Sequence, residues 1–141
     1  MNISIDNIRT QSYSPDYCHL LSQLTECPPL TPLDFELIIK NLPKNHFIFV
    51  CLLDSKPIGM ITLLIEQKLI HNGKCVGHIE DVVVDKQYNG KGIGKQMIQY
   101  VSDLAKNKNC YKIILNCNDE IKVFYEKNGF VEKNINMSKY F

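Results

Sequence analysis

Residues 82–95 read Val-Val-Val-Asp-Lys-Gln-Tyr-Asn-Gly-Lys-Gly-Ile-Gly-Lys: a β-branched run, a turn with three alternating glycines, and then a helical repeat. Glycines let backbone N–H groups crowd around an anion without interference from Cβ atoms. A helix N-terminus adds roughly half a positive charge at the same point. The backbone from Gly90 to Lys95 is thus a candidate seat for a pyrophosphate. Glycine spacing alone is a weak motif, shared by several phosphate turns that differ at single residues. A P-loop needs glycine at position 89 and Ser or Thr after Lys95, where this chain has Asn89 and Gln96. A Rossmann or kinase-type GxGxxG needs glycine at position 95, where Lys95 stands, and the kinase catalytic signature is absent. A glycine-rich strand-to-helix turn with no ligand is the remaining alternative.

Just before the turn, Glu80 and Asp81 interrupt an otherwise apolar run, and buried acids need partners. Consecutive strand residues face opposite sides, so both acids reach one cleft only if a bulge turns them there; otherwise one pairs with a lysine and the other is solvated. Acids in a cleft suit the hydroxyl donors of a sugar. Tyr125, read from its neighbours alone, is an aromatic core residue like Phe124. Lys68 and His71, taken alone, read as solvated surface charge.

Positioning these groups requires a strand through Ile3, Ile5 and Ile8. A helix then starts at Ser14-Pro15-Asp16 and carries Cys18, Leu20, Leu21 and Leu24. A second helix, Leu33 to Leu42, opens on Thr31-Pro32 and closes at Pro43. Apolar runs His46 to Leu53 and Ile58 to Ile65 flank a turn at Asp54-Ser55-Lys56-Pro57, and a strand Cys75 to Val84 follows the turn at 71–74, completing an antiparallel meander. Ile93, Met97, Ile98, Val101, Leu104 and Ala105 recur at helical spacing. A strand Tyr111 to Cys117, a short helix Asp119 to Asn128 capped by Gly129, and a terminal strand or pair of strands over Phe130 to Tyr140 complete the order β α α β β β α β α β.

The chain has 141 residues, 45% of them apolar, and is expected to form a single domain over residues 1–141. A formal charge of +1 offers no whole-molecule attraction to nucleic acid or an anionic membrane, so neither is expected as a partner. Met1 to Asp16 lack a signal-peptide core and the longest apolar run, Phe47 to Leu53, is too short to span a bilayer, which points to a soluble, cytoplasmic protein. Six dispersed cysteines, with no CxxC pair and no histidine at zinc-finger spacing, suggest neither a metal nor a disulfide framework. Cys117 alone lies beside the candidate site.

The turn Asn89-Gly90-Lys91-Gly92-Ile93-Gly94 resembles motif A of the GCN5-related N-acetyltransferases, R/Q-x-x-G-x-G/A, with Asn89 departing from the pattern at its first position. The element order matches that family's fold over almost the whole chain. It implies an α/β (α+β) architecture with a mixed, mostly antiparallel sheet that splays between strands four and five, flanked by about four helices. Three strings, 78–84, 110–117 and 124–130, look like the family's eukaryotic glucosamine 6-phosphate N-acetyltransferases. Lys68-Leu69-Ile70-His71 is similar to a sugar-binding loop of the same enzymes.

The resemblance implies acetyl-CoA as co-substrate, no metal, and direct acetyl transfer in a ternary complex to the 2-amino group of the sugar, on the route to UDP-N-acetylglucosamine. It places the cofactor on Val82, Val83, Val84, Asn89, Gly90, Lys91, Gly92, Ile93, Gly94, Lys95, Ile121, Lys122, Val123 and Tyr125. The sugar phosphate falls to Thr25, Lys68, Leu69, Ile70, His71, Glu80, Asp81, Asn116 and Lys139. Backbone N–H groups around Val82 and Val83 polarise the thioester, Tyr125 meets the leaving thiolate, and the backbone carbonyl of Asn116 meets the amine. Relatives carry aspartate at the position of Asn116 and arginine near Lys139. They are homodimers with exchanged C-terminal strands, a role open here to Ile135, Met137 and Tyr140. Two rival readings remain: acetylation of a polyamine or protein N-terminus on the same scaffold, and a non-catalytic acyl-CoA-binding module.

Overall fold

The computed structural model describes residues 1–141. Its elements are β1 (Ile3–Asn7), α1 (Asp16–Leu21), α2 (Pro32–Lys40), β2 (His46–Leu53), β3 (Lys56–Gln67), the single turn α3 (Ile70–Gly73), β4 (Cys75–Val84), α4 (Ile93–Asn107), β5 (Cys110–Ile114) and α5 (Asp119–Lys127), with 3-10 turns at Ile8–Thr10 and Lys86–Tyr88. One sheet holds all five strands in sequence order. β1 to β4 are antiparallel, and β5 runs parallel to β4 after the α4 crossover. No helix is long and apolar enough to cross a membrane.

Local chemistry explains the joints. Asp54 and Ser55 both have positive φ, 48° and 68°, giving the two-residue hairpin turn whose twist suits β2 and β3. Thr31 accepts a hydrogen bond from Asp34 N–H at 3.1 Å, and Pro32 stands at the first helical position, where its missing N–H costs nothing.

The two faces of the sheet carry separate cores. On one, α4 buries Ile93, Met97, Ile98, Val101 and Ala105 against Ile58, Ile61, Leu63 and Ile79. Each fully buried aliphatic side chain contributes about 1.5–3 kcal/mol. On the other, α1 and α2 set Tyr17, Leu20 and Phe35 against Val50, Met60 and Val83.

Several boundaries differ from the sequence expectation. Ile8 leaves the first strand and opens a 3-10 turn, and Leu24 lies beyond α1. β5 stops at Ile114 rather than Cys117 because its pairing with β4 stops at His78↔Ile114. The expected terminal strand over Phe130 to Tyr140 does not form. A strand exists by pairing, and in the single chain the tail pairs with nothing: Ile135, Met137 and Tyr140 are each about nine-tenths exposed.

Candidate active site

The parting of β4 from β5 creates the site. β4 runs on from Ile79 to Val84 with β3 on one side and no strand on the other. Asp85 N–H donates to Ile58 O of β3 at 2.8 Å. Strand backbone alternates with period two, so Val82 and Val84 direct their N–H groups away from β3, into the open gap. Val83 by the same alternation turns its N–H toward β3. Of the two residues expected to polarise a carbonyl, Val82 is the one whose amide lies on the open side.

At the C-terminal end of that gap stands the glycine turn. Gly90 and Gly92 are left-handed, φ +75° and +78°, with nothing within 4 Å of where a Cβ would be, so their role is conformational. Gly94 serves packing instead: a Cβ there would stand 3.1 Å from Phe124 Cζ. The N–H groups of Gly90, Lys91 and Gly92 donate to no protein acceptor, and those of Ile93, Gly94 and Lys95 precede the first bond of α4, which Gln96 makes to Gly92 O at 3.1 Å. A fan of free donors at a helix start fits a pyrophosphate. Asn89 adds no side-chain hydrogen bond of its own. Gln23 braces the entry to the turn from beyond α1, its Oε1 accepting from Lys86 N–H at 3.0 Å.

Tyr125 projects from α5 into the main core, 7% exposed, edge-on to Phe124 and Phe130 with ring centroids 5.0 and 5.8 Å away. Its hydroxyl has no protein partner, yet it is not a sealed, unsatisfied atom, so it keeps some access to solvent. Burial, and then the nearby Cys117, push the phenol above its ordinary 10.0. The flanking α5 residues behave differently. Ile121 and Val123 are about half exposed, and Lys122 is engaged by Glu132 of the tail, which raises the ammonium and lowers the carboxyl.

Both acids of β4 end up on one face, and both are exposed rather than buried as the apolar run around them suggested, because that edge of β4 has no strand beside it. Glu80 pairs with Thr62 and Val83 with Met60, so Asp81 and Val82 together oppose Ile61: a β-bulge, with Asp81 at φ 50°. Aspartate tolerates that conformation better than most residues. Thr62 and Asp81 line the same cavity on the α1–α2 side, while Val82 returns to the α4 face.

The remaining sequence-predicted groups spread more widely. Thr25 is exposed after α1, its N–H bonded to Leu21 O at 3.1 Å. Lys68 is paired with Glu66 at 2.9 Å, and His78 holds the other Glu66 oxygen at 2.8 Å. The His78 hydrogen bond and then Lys68 keep the Glu66 carboxyl below its ordinary value. His71 and Asn72 are left-handed, φ 50° and 59°, and the His71 ring lies 4.2 Å from that of Tyr111. Leu69 is 97% exposed and Ile70 60%, so they offer backbone rather than an apolar wall. Asn116 is exposed just past β5, and Lys139 sits on the unpaired tail, so one chain alone does not bring Lys139 to the cleft.

Sequence reasoning missed the roles of Tyr111, Lys112, Glu66, His78, Phe124 and Gln23. The Cys-Tyr-Lys string was itself a signal for the first two, where Lys112 Nζ stands 5.7 Å over the Tyr111 ring. His78 and Phe124 open the strings 78–84 and 124–130, whereas no local pattern marks Glu66 or Gln23.

Known proteins share this arrangement. The acetyltransferase (GNAT) family model matches residues 6–130. The glucosamine 6-phosphate N-acetyltransferase of Arabidopsis thaliana is 40% identical over 132 residues, covering 89% of this chain and 87% of that one. The protein of the same name from Trypanosoma brucei brucei is 38% identical over 118 residues, covering 81% and 80%. A crystal structure of the Arabidopsis enzyme superposes with a TM-score of 0.93 at 36% identity, covering 100% of this chain and 99% of that one. With its sheet parted beside a glycine-opened helix start, and with these matches running through nearly its whole length, the chain belongs to the GNAT acetyltransferase family.

Proposed function

We propose that the protein, one domain over residues 1–141, transfers the acetyl group of acetyl-CoA to the 2-amino group of glucosamine 6-phosphate by direct attack in a ternary complex. The observation that carries the cofactor is the run of acceptor-free N–H groups from Gly90 to Lys95 beside the open edge of β4. The acceptor rests on the two acids that the bulge turns to one face, together with the full-length relatives that bear the enzyme's name.

Bound acetyl-CoA supplies the activated thioester. Gly90 to Lys95 hold its pyrophosphate, and Val84 and Val82 meet the pantetheine arm and the thioester oxygen in the gap, where a fixed donor lowers the barrier as negative charge develops. Glu80 and Asp81 accept from sugar hydroxyls. Asn116 offers its backbone carbonyl to the amine, so the amide side chain in place of a carboxylate leaves that contact intact. Tyr125 then faces the departing sulfur. A thiol ionises near 8.5, below this raised phenol, so the proton stays on oxygen and Tyr125 acts by donating a hydrogen bond to the thiolate. Lys68, His71 and Lys139 meet the 6-phosphate as point charges. The apolar tail pairs with a second copy of the chain and carries Lys139 with it, making a cytoplasmic homodimer.

The test is an acetyl-transfer assay with glucosamine 6-phosphate, glucosamine, spermidine and a peptide N-terminus as acceptors. The sugar phosphate should exceed every other acceptor by at least tenfold in kcat/KM; equal rates would overturn the choice of substrate.

A further inference from the structure

Between α1, α2 and the sheet lies a cavity of about 170 Å3 whose walls are almost all apolar. Tyr13 and Tyr17 line it, but their hydroxyls are spent elsewhere, on Leu30 O at 2.9 Å and Ser12 O at 3.0 Å. Phe35 stacks on Tyr17 with ring centroids 5.5 Å apart. The wall is therefore hydrocarbon and ring surface, poor for water.

One polar end breaks it. Thr62 is 6% exposed and its hydroxyl makes no hydrogen bond to any protein group, yet that oxygen is not a sealed, unsatisfied atom. It opens on the cavity that Thr62 lines, and Asp81, turned to this face by the bulge, lines the same space. No lysine, arginine or histidine lines it, so Asp81 sets the sign of the field there. A hydroxyl free of protein partners on a buried residue, with the exposed Asp81 carboxylate at the mouth of the same apolar chamber, describes a ligand with an apolar body and a cationic, hydrogen-bonding head.

We propose that this cavity binds a small apolar primary amine, its ring or branched alkyl group against Tyr17, Phe35 and Met60 and its ammonium at the Asp81 carboxylate and the Thr62 hydroxyl. A chamber of about 150 Å3 holds benzene, so a single aromatic ring fits the volume. The ammonium answers both polar groups at once, donating to the carboxylate and to the hydroxyl oxygen. Because Asp81 also serves the acceptor in the proposed function, such an amine competes with the amino sugar; that consequence rests on the acceptor reading, while binding itself does not.

Benzylamine is the probe, titrated calorimetrically into the full chain, with toluene as the headless control. Saturable one-to-one binding is expected, with toluene weaker. Thr62→Val keeps the shape and removes the hydroxyl, and should weaken benzylamine about tenfold. Ile39→Phe fills the chamber and should abolish binding. In turnover, benzylamine should raise the KM for glucosamine 6-phosphate and leave that for acetyl-CoA unchanged. Absence of saturable binding at millimolar benzylamine, or binding that Thr62→Val leaves unaltered, overturns the proposal. Turnover of the sugar phosphate without benzylamine is read separately, so a failed site and a failed substrate assignment give different results.

Discussion

Gly92 ends the phosphate turn at φ +78°, with empty space where a Cβ would go. Gly92→Ala therefore adds no clash. It adds the cost of holding an L-residue left-handed, about 1–2 kcal/mol. With coenzyme A bound, the fan of N–H groups must keep its shape, and the whole cost falls on the liganded protein. Without ligand the turn is free to relax and escape part of it. The loss of stability in the free protein and the loss of binding free energy should then sum to about 1–2 kcal/mol. At one limit, the melting temperature falls by roughly 3–8 °C with affinity unchanged. At the other, the Kd for coenzyme A rises about 5- to 30-fold with the free protein unaltered. Gly94→Ala is the control. Gly94 is helical, the new Cβ would press on Phe124 Cζ at 3.1 Å, and that ring is 37% exposed and able to yield. Gain in helix propensity of up to about 1 kcal/mol offsets the displacement, so this variant should stay within about 1 kcal/mol of wild type. Calorimetric titration with coenzyme A, and melts with and without saturating ligand, supply every quantity. If liganded Gly92→Ala melts with liganded wild type, or if Gly94→Ala is the more damaging change, the division of labour among these glycines is wrong.

Tyr125→Phe should lower kcat about 10- to 150-fold through loss of a hydrogen bond to charged sulfur, with coenzyme A affinity within twofold. Because burial raises this phenol, its protonated form persists to higher pH, and the midpoint of any phenolic decline in the wild-type rate should lie above pH 10.0. Gly77→Ala would place a Cβ 2.8 Å from Ile113 Cγ2 and 3.2 Å from Leu63 Cδ1, and overpacking of about 1–3 kcal/mol should lower the melting temperature by roughly 3–10 °C; an unchanged melt would show that β5 yields freely. The Glu66 carboxyl, lowered by His78 and Lys68, keeps its contacts above pH 4.5 and loses them as pH falls through its depressed value. Its NMR titration should centre below 4.5 and move upward in His78→Ala.

Much of the scaffold was legible because periodicity and punctuation coincide. His46–Leu53 and Cys75–Val84 are apolar runs bounded by turn residues, and both appear with those bounds. The stripe from Ile93 to Ala105 is the buried face of α4. Glu80 and Asp81 were legible as an anomaly but not as a geometry, since simple alternation separates them and only the left-handed Asp81 reunites them. The tail was misread for a related reason: an apolar, β-prone sequence states a willingness to pair, and pairing depends on a neighbour that the same chain does not supply. Gln23, Phe124 and Thr62 owe their importance to what folding brings beside them, as with Gln23 and Lys86 at a sequence separation of 63, and no local pattern encodes that.

The short contact between β4 and β5 bears on the order of assembly. β2 to β4 are linked by hairpin or near-hairpin pairings, whereas β1 meets β2 across both α1 and α2, and β5 arrives only after a helical crossover and is joined by pairing that reaches only from Cys75 to His78. Local pairings close early and distant ones late. The crevice for chemistry is thus bounded by an early-formed wall and a late-docked one. A chain interrupted before Cys110 would contain the meander and the whole of α4 but lack one side of the catalytic gap, and so should not turn over.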